Sequence, residues 1–495
     1  MLFIGGFAII TTPTGAARAA VWRPRSKPDC PYQVLAASYP VDQETPVTAF
    51  LKVRPLGAHT LLESVEGEAK VSRYSFIAVG SLATLTESAG GTAVLEGEAG
   101  RLASHSPEAL LRAGWAAYRA PVPEGLDLPY TGGAVGYFGY DWVRRQERVP
   151  SRHPVRAPGW AWTWPWGVLA FDHRRQTLSI VVQARIEEGA SALGQRMDAV
   201  LAALGAGHVP MAAGAHRTGP VASNLAYPEY ERMIAAAQEH IRAGDVFQVV
   251  LSQQLTAPVA GDAFGFYRRL RRLNPSPYLF YLERAGLTLA GASPEMLVRV
   301  AGHRAEVRPI AGTRPRGRDG AADDALWESL IRDDKERAEH VMLVDLGRND
   351  LGRVAKAGSV RVDRLMVREQ YSHVTHMVSE VSAELAAGRD ALDALAAAFP
   401  AGTLTGAPKV RALEIIDELE PAGRGAYGGV VGYFSHAGDL DTAITIRTLE
   451  IANGRATVQA GGGIVADSDA AREYQESLSK ARALVQVLEG EEEWR

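Results

Sequence analysis

The fold class is decided where a helix gives way to a strand, in the stretch Gly244-Asp245-Val246-Phe247-Gln248-Val249-Val250-Leu251-Ser252. Upstream, Pro228 can occupy the first turn of a helix that ends at Gly244, because proline is favoured at helix starts and glycine just past helix ends. Downstream, the run predicts a strand over Val246–Leu255 that is mostly apolar but carries Gln248.

The rest of the chain mixes helices and strands without a regular βαβ alternation. Apolar periodicity and punctuation by glycine and proline predict helices over 324–346, Pro408–Leu419 and 469–489. Glycine-rich Gly132–Tyr140 predicts closely packed strands or a turn. Together these patterns predict an α+β fold rather than a doubly wound α/β fold. Short runs between turn residues predict strands over Val47–Val53, Tyr74–Val79, Gly167–Phe171, Val430–Phe434, Thr442–Thr448 and Ala456–Gln459.

Changes in composition divide the chain into four parts. We predict an irregular N-terminal extension over 1–30 and a first folded region over 31–202. A linker rich in Ala, Gly and His is predicted over 203–222, and a second folded region over 223–490. The apolar start, Met1–Ile10, resembles the core of a secretion signal but has no positive residue before it. We therefore favour a non-native or poorly ordered extension.

Bulk composition excludes several classes of protein. The 495 residues are 46% hydrophobic and 22% charged with a net charge of −4, which predicts a soluble globular protein without a basic field for nucleic acid. No apolar run beyond the N-terminus is long enough to span a bilayer, so no membrane contact is expected. The single cysteine, Cys30, cannot form an internal disulfide, which favours a reducing, cytoplasmic location.

Two pairs of glutamates are candidates for binding a metal. Glu336 and Glu339 are spaced i, i+3 and fall on one helix face beside His340. Glu473 and Glu476 repeat that spacing on the last helix. Such pairs are usually only solvated, but four carboxylates from two helices would suit the oxygen preference of Mg²⁺. The opposite face of the first helix is predicted to be an apolar stripe of Trp327, Leu330, Ile331, Ala338, Val341 and Met342.

Other segments are candidates for binding an anion. Gly461-Gly462-Gly463 follows a predicted strand, and its backbone N–H groups could face a carboxylate, although for a glycine triplet taken alone a tight turn without a ligand is favoured. Arg447, inside an apolar run, needs a partner, either a substrate carboxylate or a structural Asp or Glu. Gly402–Lys409 could hold a polar substrate or merely cap a helix, and its spacing is not that of a Walker loop.

Taken together, these segments resemble the chorismate-utilising enzymes, and most closely the anthranilate synthase component I family. The resemblance covers about residues 31–490. It implies a fold with large antiparallel sheets packed as a core and helices outside, a regulatory N-terminal region over 31–202 and a chorismate-binding catalytic domain over 223–490. The stretches that carry it are 244–252, Asn274–Tyr278, Ala292–Glu295, Arg308–Arg314, Lys335–His340, Val344–Asp350 and Gly402–Lys409.

The resemblance also implies roles for individual residues. Glu295 would be the general acid for the leaving hydroxyl, and His376 would assist pyruvate elimination. Gln248 completes the expected catalytic set. Family members usually carry a small residue, often alanine, where Gly462 stands. Mg²⁺ would be held by Glu336, Glu339, Glu473 and Glu476. Chorismate would be bound by Gly312, Thr313, Thr403, Tyr427, Arg447, Gly461, Gly462, Gly463 and Lys480.

Two positions separate this chain from its relatives. Isochorismate-forming enzymes carry a lysine at the place of Gln248, so ammonia is expected as nucleophile. Aminodeoxychorismate synthases typically carry a lysine where Ala311 stands, which favours anthranilate, formed through 2-amino-2-deoxyisochorismate. Aminodeoxychorismate synthase component I is the alternative, and a catalytically silent paralogue is disfavoured because the acidic and basic positions are all present. Cys30 lacks the glycines of an amidotransferase elbow, so the resemblance implies a glutamine amidotransferase small subunit as partner.

A regulatory site is expected away from the chorismate site. Leu61-Leu62-Glu63-Ser64 matches the family's regulatory element, which implies feedback inhibition by tryptophan, with Glu63 taking the ligand's ammonium group. The residues expected to bind tryptophan are Leu62, Glu63, Ser64, Pro277, Tyr278 and Leu279. The alternative is an ordinary strand edge with a salt bridge at Glu63. A shared site would couple two segments more than two hundred residues apart, as allosteric inhibition requires.

Overall fold

The computed structural model describes most of the chain. It covers the short strands within 3–8 and 20–22 and residues 30–64, 73–88, 91–154, 158–207, 209, 214–371 and 374–490. The predicted extension over 1–30 therefore lies mostly outside the described residues. In this part of the chain no helix is long and apolar enough to cross a membrane.

The strands are named in chain order. They are β1 (Phe3–Ile4), β2 (Phe7–Ala8), β3 (Ala20–Trp22), β4 (Tyr32–Pro40), β5 (Ala58–Glu63), β6 (Tyr74–Val79), β7 (Ala83–Glu87), β8 (Ala93–Gly97), β9 (Gly100–Ser104), β10 (Gly133–Phe138), β11 (Trp160–Trp164), β12 (Gly167–Asp172), β13 (Thr177–Arg185), β14 (His216–Arg217), β15 (Ala222–Ser223), β16 (Gln248–Ala260), β17 (Tyr278–Arg284), β18 (Leu287–Ser293), β19 (Met296–Ala301), β20 (Arg304–Val307), β21 (Ile310–Pro315), β22 (Arg361–Gln370), β23 (Val374–Glu384), β24 (Gly406–Ala407), β25 (Val430–Ser435), β26 (Leu440–Ile444), β27 (Thr448–Ala452) and β28 (Arg455–Ile464).

The helices are named in the same way, and short 3₁₀ turns occupy Arg54–Leu56, Tyr140–Arg145, Ile186–Glu188 and Gly402–Leu404. The α-helices are α1 (Pro46–Val53), α2 (Pro107–Ala117), α3 (Gly189–Leu204), α4 (Tyr227–Arg242), α5 (Phe264–Leu273), α6 (Gly320–Ile331), α7 (Asp334–Gly352), α8 (Ala391–Ala398), α9 (Lys409–Leu419) and α10 (Ala470–Glu489).

Two large antiparallel sheets dominate the fold. The first sheet has the order β21-β23-β20-β19-β26-β25-β10-β11-β7-β8-β9, with β22 also on β23. The second has the order β14-β16-β28-β27-β18-β17-β5-β6-β12-β13-β4-β3, with β15 and β24 also on β16. Both sheets combine strands from the regions 31–202 and 223–490, so the α+β prediction is confirmed and the two regions share their sheets.

The core lies between the sheets and under the helices. Tyr137 and Val431 of the first sheet pack against Phe280 and Leu289 of the second. A larger cluster joins the buried tryptophans of the first sheet to apolar side chains of α8 and α9. On the second sheet, α10 packs over β28 through its buried positions, among them Leu484. Burial of one face of each element is what fixes the helices on the outside.

Three predicted elements were wrong in detail. Val47–Val53 belongs to helix α1, because Thr45 caps the helix and Pro46 occupies its first turn. The helix predicted over 324–346 is two helices, since the Asp333 side chain accepts the N–H groups that start α7. The strand predicted over Thr442–Thr448 breaks after Ile444.

The predicted linker contains the end of α3 and strand β14, which pairs with β16.

Candidate active site

The site forms where the chain crosses from one sheet to the other. Glu295 lies in the crossing from β18 of the second sheet to β19 of the first, and Arg447 lies in the return crossing from β26 to β27. The crossings are joined by backbone hydrogen bonds, from Ile444 N to the Glu295 carbonyl (3.1 Å) and from Ala292 N to the Arg447 carbonyl (3.1 Å). Arg447 has a φ of +48°, so it sits outside the strand predicted for it.

Glu295 is a carboxyl group that can keep its proton near neutral pH. Burial raises its pKa from an ordinary 4.5 to about 7, and the opposing effects of Thr403 and Arg447 are smaller. The Thr403 hydroxyl donates to Glu295 Oε1 at 3.0 Å. Met296, the next residue in the chain, is buried and contributes to the apolar environment that raises this pKa. A narrow cleft still reaches Glu295 from the α7 side.

His376, on β23, is a neutral imidazole beside the same arginine. Burial, followed by the positive charge of Arg447, lowers the pKa of His376 to about 4. Its Nδ1 lies 2.8 Å from Thr313 Oγ1. Its ring also interacts with the backbone of Gly312, which opposes the lowering. Arg447 therefore lies close enough to influence the pKa of both an acid that can hold a proton and a base that can accept one.

The four glutamates form two pairs, one on α7 and one on α10, and each pair has partners within the protein. Glu336 pairs with Arg314 (2.8 Å), and Glu339 accepts a hydrogen bond from Gln248 (3.2 Å). On α10, Glu476 pairs with Lys480 (2.9 Å). Within the described ranges no group of three or more His, Cys, Asp or Glu side chains stands close enough to hold a metal ion. The donor chemistry fits Mg²⁺, whereas the present spacing is that of two separate pairs.

The face of α7 that carries these acids differs from the prediction. His340 is fully buried beneath the sheet, whereas Val341, predicted to be buried, has 44% of its surface exposed. Glu336 and Glu339 are half-buried on the same side as His340. The acids thus point toward the site and not to bulk solvent, because the helix packs by its polar face at this end.

The glycine triplet is part of β28 itself rather than a turn after a strand. A Cβ on Gly461 would lie 2.1 Å from the Leu251 carbonyl oxygen, and one on Gly463 would lie 2.3 Å from Gln248 Nε2. A Cβ on Gly462 would meet only the Glu473 carboxylate, at 3.2 Å, and Glu476, at 3.8 Å, which agrees with the small residue usual in relatives. β27 pairs with β28 only over 455–458, so beyond that point one edge of β28 is free of this neighbour.

The remaining predicted positions lie around this centre. Lys480 donates from Nζ to the Gly461 carbonyl at 3.0 Å. Tyr427 is buried, and the guanidinium carbon of Arg424 lies 5.5 Å from the centre of its ring. Tyr427 and Thr445 line the same small cavity. No contact joins Tyr427 directly to Arg447 in the described residues, so its role in binding the same carboxylate stays a prediction.

Sequence reasoning missed two buried ion pairs that shape the site. Arg424 is held by Glu420 and donates to the carbonyls of Leu404 and Val250, which ties the Thr403 turn to β16. Lys409 binds Asp350 at 2.9 Å and so stabilises the end of the Gly402–Lys409 loop instead of facing substrate. The Arg424 sequence context is glycine-rich and carries no signal of burial.

The predicted regulatory residues surround one cavity of about 520 Å³. Strands β5 and β17 are neighbours with Leu279 opposite Glu63, so β5 is not an edge strand. Glu63 is already bound by Arg271 (2.9 and 3.1 Å) and by the Tyr267 hydroxyl, so an ammonium group would have to share it. The predicted residues that line the cavity are Leu62, Glu63, Ser64, Pro277, Tyr278 and Leu279.

Known proteins share this sequence pattern. Residues 65–486 match the family described as chorismate binding enzyme. Anthranilate synthase component 1 of Thermus thermophilus is 46% identical over 454 residues, which cover 90% of this chain and 96% of the relative. Anthranilate synthase component 1 of Streptomyces coelicolor is 45% identical over 462 residues, which cover 90% of this chain and 87% of the relative.

Solved structures share the fold. Anthranilate synthase component I from Streptococcus pneumoniae superposes with a TM-score of 0.74 at 36% identity, covering 85% of this chain and 95% of that one. The menaquinone-specific isochorismate synthase of Escherichia coli superposes with a TM-score of 0.70 at 19% identity, covering 94% of this chain and 96% of that one. At that identity the likeness shows the shared fold alone. The chain therefore belongs to the family of chorismate-binding enzymes. Within that family, the relatives of 45% and 46% identity are anthranilate synthase component 1 proteins.

Proposed function

We propose that the chain converts chorismate and ammonia to anthranilate and pyruvate through 2-amino-2-deoxyisochorismate. The observation that carries this proposal is that one cation, Arg447, acts electrostatically on both an acid that can hold its proton, Glu295, and a neutral base, His376. Replacing a ring hydroxyl requires a proton donor, and removing pyruvate from the intermediate requires loss of a ring proton. One acid and one base at a shared cation match those two demands.

The first half-reaction depends on Glu295. Chorismate is a dianion with a poor hydroxyl leaving group, so departure of the C4 hydroxyl needs a proton delivered at that oxygen. With a pKa of about 7, Glu295 carries the proton in a large fraction of molecules at neutral pH. The 3.0 Å hydrogen bond from Thr403 fixes the orientation of the carboxyl group. Arg447, with Tyr427, binds the enolpyruvyl carboxylate and so keeps the leaving hydroxyl beside Glu295.

The second half-reaction depends on His376. A pKa of about 4 leaves its imidazole neutral at pH 7, so one nitrogen can accept the proton from C2 while pyruvate departs. The 2.8 Å contact with Thr313 holds the other part of the ring in place. The nearby positive charge of Arg447 favours return of the proton afterwards.

Mg²⁺ would be held by Glu336, Glu339, Glu473 and Glu476, the oxygen donors that this cation prefers. When bound, it supplies positive charge that neutralises the ring carboxylate of chorismate. On the protein side, the free edge of β28 at Gly461–Gly463 offers N–H groups to the same carboxylate, and Lys480 lies at the Gly461 carbonyl.

The identity of the nucleophile and the product rests on two side chains. Gln248 stands beside Glu339 in the site and, unlike a lysine, cannot act as a base that activates water. Buried Ala311 cannot form the covalent ring adduct available to a lysine there. Amination at C2 and anthranilate are therefore favoured over aminodeoxychorismate, the alternative product.

The decisive experiment is turnover of chorismate with an ammonium salt and Mg²⁺, followed by anthranilate fluorescence and by chromatography of all products. Anthranilate and pyruvate in equal amounts are expected. Glu295→Gln should abolish product formation, while exposed Glu124→Gln should leave it unchanged. Accumulation of 4-amino-4-deoxychorismate or isochorismate in place of anthranilate would contradict the proposal.

In the cell, ammonia would come from a glutamine amidotransferase small subunit that joins this chain in a hetero-oligomer. The support is the absence from the sequence of a glutamine-cleaving cysteine: Cys30 stands in Pro28-Asp29-Cys30-Pro31, without an elbow of glycines. Cys30 is also buried, which removes it from contact with a soluble substrate. This reaction would be the first committed step of tryptophan biosynthesis and would take place in the cytoplasm.

Tryptophan would inhibit the enzyme from the 520 Å³ cavity between β5 and β17. The cavity combines aromatic walls, among them Tyr278, with the acids that an amino acid's ammonium group needs. Ser64 adds a buried hydroxyl without a hydrogen-bond partner in the described residues. Because β17 leads directly into β18 and then to Glu295, ligand-dependent movement at this cavity can reach the catalytic crossing.

A further inference from the structure

His340 is a buried histidine that the proposed mechanism does not use. It lies on α7, and no part of its surface is exposed. Its Nε2 is 2.6 Å from Ser379 Oγ on β23. Nδ1 is fully enclosed and has no partner within strict hydrogen-bond geometry among the described residues, but the ring interacts with the backbone of Ala311 on β21. The histidine thus connects α7 to the two strands that carry Thr313 and His376.

The orientation of the ring follows from its neighbours. Ser379 Oγ already accepts a hydrogen bond from Met366 N at 2.9 Å, so its own proton is free to be donated to His340 Nε2. The remaining ring proton then sits on Nδ1 and faces the Ala311 carbonyl. In this tautomer the Ser379 hydroxyl proton has an acceptor in Nε2, and the Nδ1 proton is directed toward the Ala311 backbone.

Ala311 lies where the pairing of β21 with β23 is irregular. This pairing shifts register between Ile310 and Thr313, so the ladder is interrupted at Ala311 and Gly312. Gly312 takes a left-handed φ of +82°. From the site side, the His376 ring interacts with the Gly312 backbone and with the Thr313 hydroxyl. The irregular segment is therefore contacted by one histidine from each side.

We propose that His340 is a positioning residue: its Nδ1–H holds the Ala311 carbonyl, and through Gly312 and Thr313 it fixes the ring of His376 against Arg447. The inference rests on the proposed function for its catalytic consequence only. It implies that α7 positions two groups of side chains. One is the glutamates on its own surface, and the other, through His340 beneath them, is the base His376 on β23.

Two variants of similar size separate the two ring contacts. His340→Asn places an amide N–H near the position of Nδ1 and loses the Ser379 contact. His340→Gln reaches toward Ser379 and loses the Ala311 contact. Each loses one hydrogen bond, so a merely structural role predicts similar losses of Tm and of activity for both. The proposal instead predicts that His340→Gln lowers kcat about tenfold or more with little change in KM, whereas His340→Asn stays within about threefold of the parent chain.

The second readout is the titration of the His376 ring, followed by NMR of the histidine-labelled protein and assigned with His376→Gln. The pKa of about 4 should rise toward the ordinary 6.5 in His340→Gln, because the ring is no longer held in its buried position, and should stay low in His340→Asn. Equal effects of both variants, or a larger loss in His340→Asn, would overturn the proposal.

Two provisions keep the test decisive. If a His340 variant does not fold, Ser379→Ala removes the proton that sets the tautomer and is expected to lower kcat at unchanged KM; parental kcat there would overturn the inference. If the parent chain forms no anthranilate, the proposed function fails, but the NMR titration still measures whether His340 positions His376.

Discussion

The burial of Glu295 should make the stability of the protein depend on pH in a defined way. In the folded chain its pKa is about 7, and in the unfolded chain it takes the ordinary 4.5. At about 1.4 kcal/mol per pKa unit, this difference corresponds to about 3 kcal/mol. Because the folded pKa is raised, the protonated form favours the fold at low pH, and this stability is lost as the pH rises from 4.5 through 7.

Replacement of Glu295 by glutamine removes the ionisation and keeps an oxygen that can accept the Thr403 hydrogen bond of 3.0 Å. Relative to the parent chain, Glu295→Gln should therefore gain about 2–3 kcal/mol in free energy of unfolding between pH 5 and pH 8.5. Any cost of the amide itself is independent of pH and cancels in that comparison.

The measurement is urea unfolding of both chains at several pH values, followed by circular dichroism and tryptophan fluorescence, without substrate or Mg²⁺. Exposed Glu124→Gln serves as the matched control and should show a pH-independent difference. A stability difference between Glu295→Gln and the parent that stays constant from pH 5 to pH 8.5 would refute the raised pKa, and with it the assignment of Glu295 as the proton donor.

Three further outcomes are expected. Glu339→Gln should lose most Mg²⁺-dependent turnover while its circular dichroism spectrum stays unchanged; near-parental activity would remove Glu339 from the proposed metal site. The purified single chain should use ammonium salts but not glutamine, and glutamine-dependent anthranilate formation by this chain alone would contradict the need for a partner. Ser64→Phe should fill part of the regulatory cavity and abolish inhibition by tryptophan while retaining most turnover; if calorimetry detects no tryptophan binding to the parent chain, the regulatory proposal fails.

Local sequence patterns predicted those features that depend on one element alone. The helix over Pro408–Leu419 and the strand at Val430–Phe434 carry their apolar period and their glycine or proline boundaries within a dozen residues. The i, i+3 spacing placed Glu473 and Glu476 on one helix face without reference to the rest of the chain. Within a single element, competing signals also gave one wrong prediction. The run Val47–Val53 was predicted to be a strand, although Thr45 and Pro46 start a helix there.

Partners that are distant in sequence could not be predicted from such patterns. Glu295 and Thr403 are 108 residues apart, and the burial that raises the pKa of Glu295 comes from elements that only the packed sheets bring together. The face of α7 was assigned wrongly for the same reason: a polar face normally indicates solvent, but here it covers an interior site and buries His340.

The sequence by itself determined which chemical groups the protein has: the acidic pairs, Glu295, His376, Arg447, the glycines and the absence of an amidotransferase cysteine. Only the tertiary structure decided their states and neighbours, because pKa values and hydrogen bonds depend on distance and burial and not on order along the chain. The two crossings between sheets bring Glu295 and Arg447 together. The register shift of β21 lies where α7 packs against that strand, a contact between elements that are not adjacent in the chain.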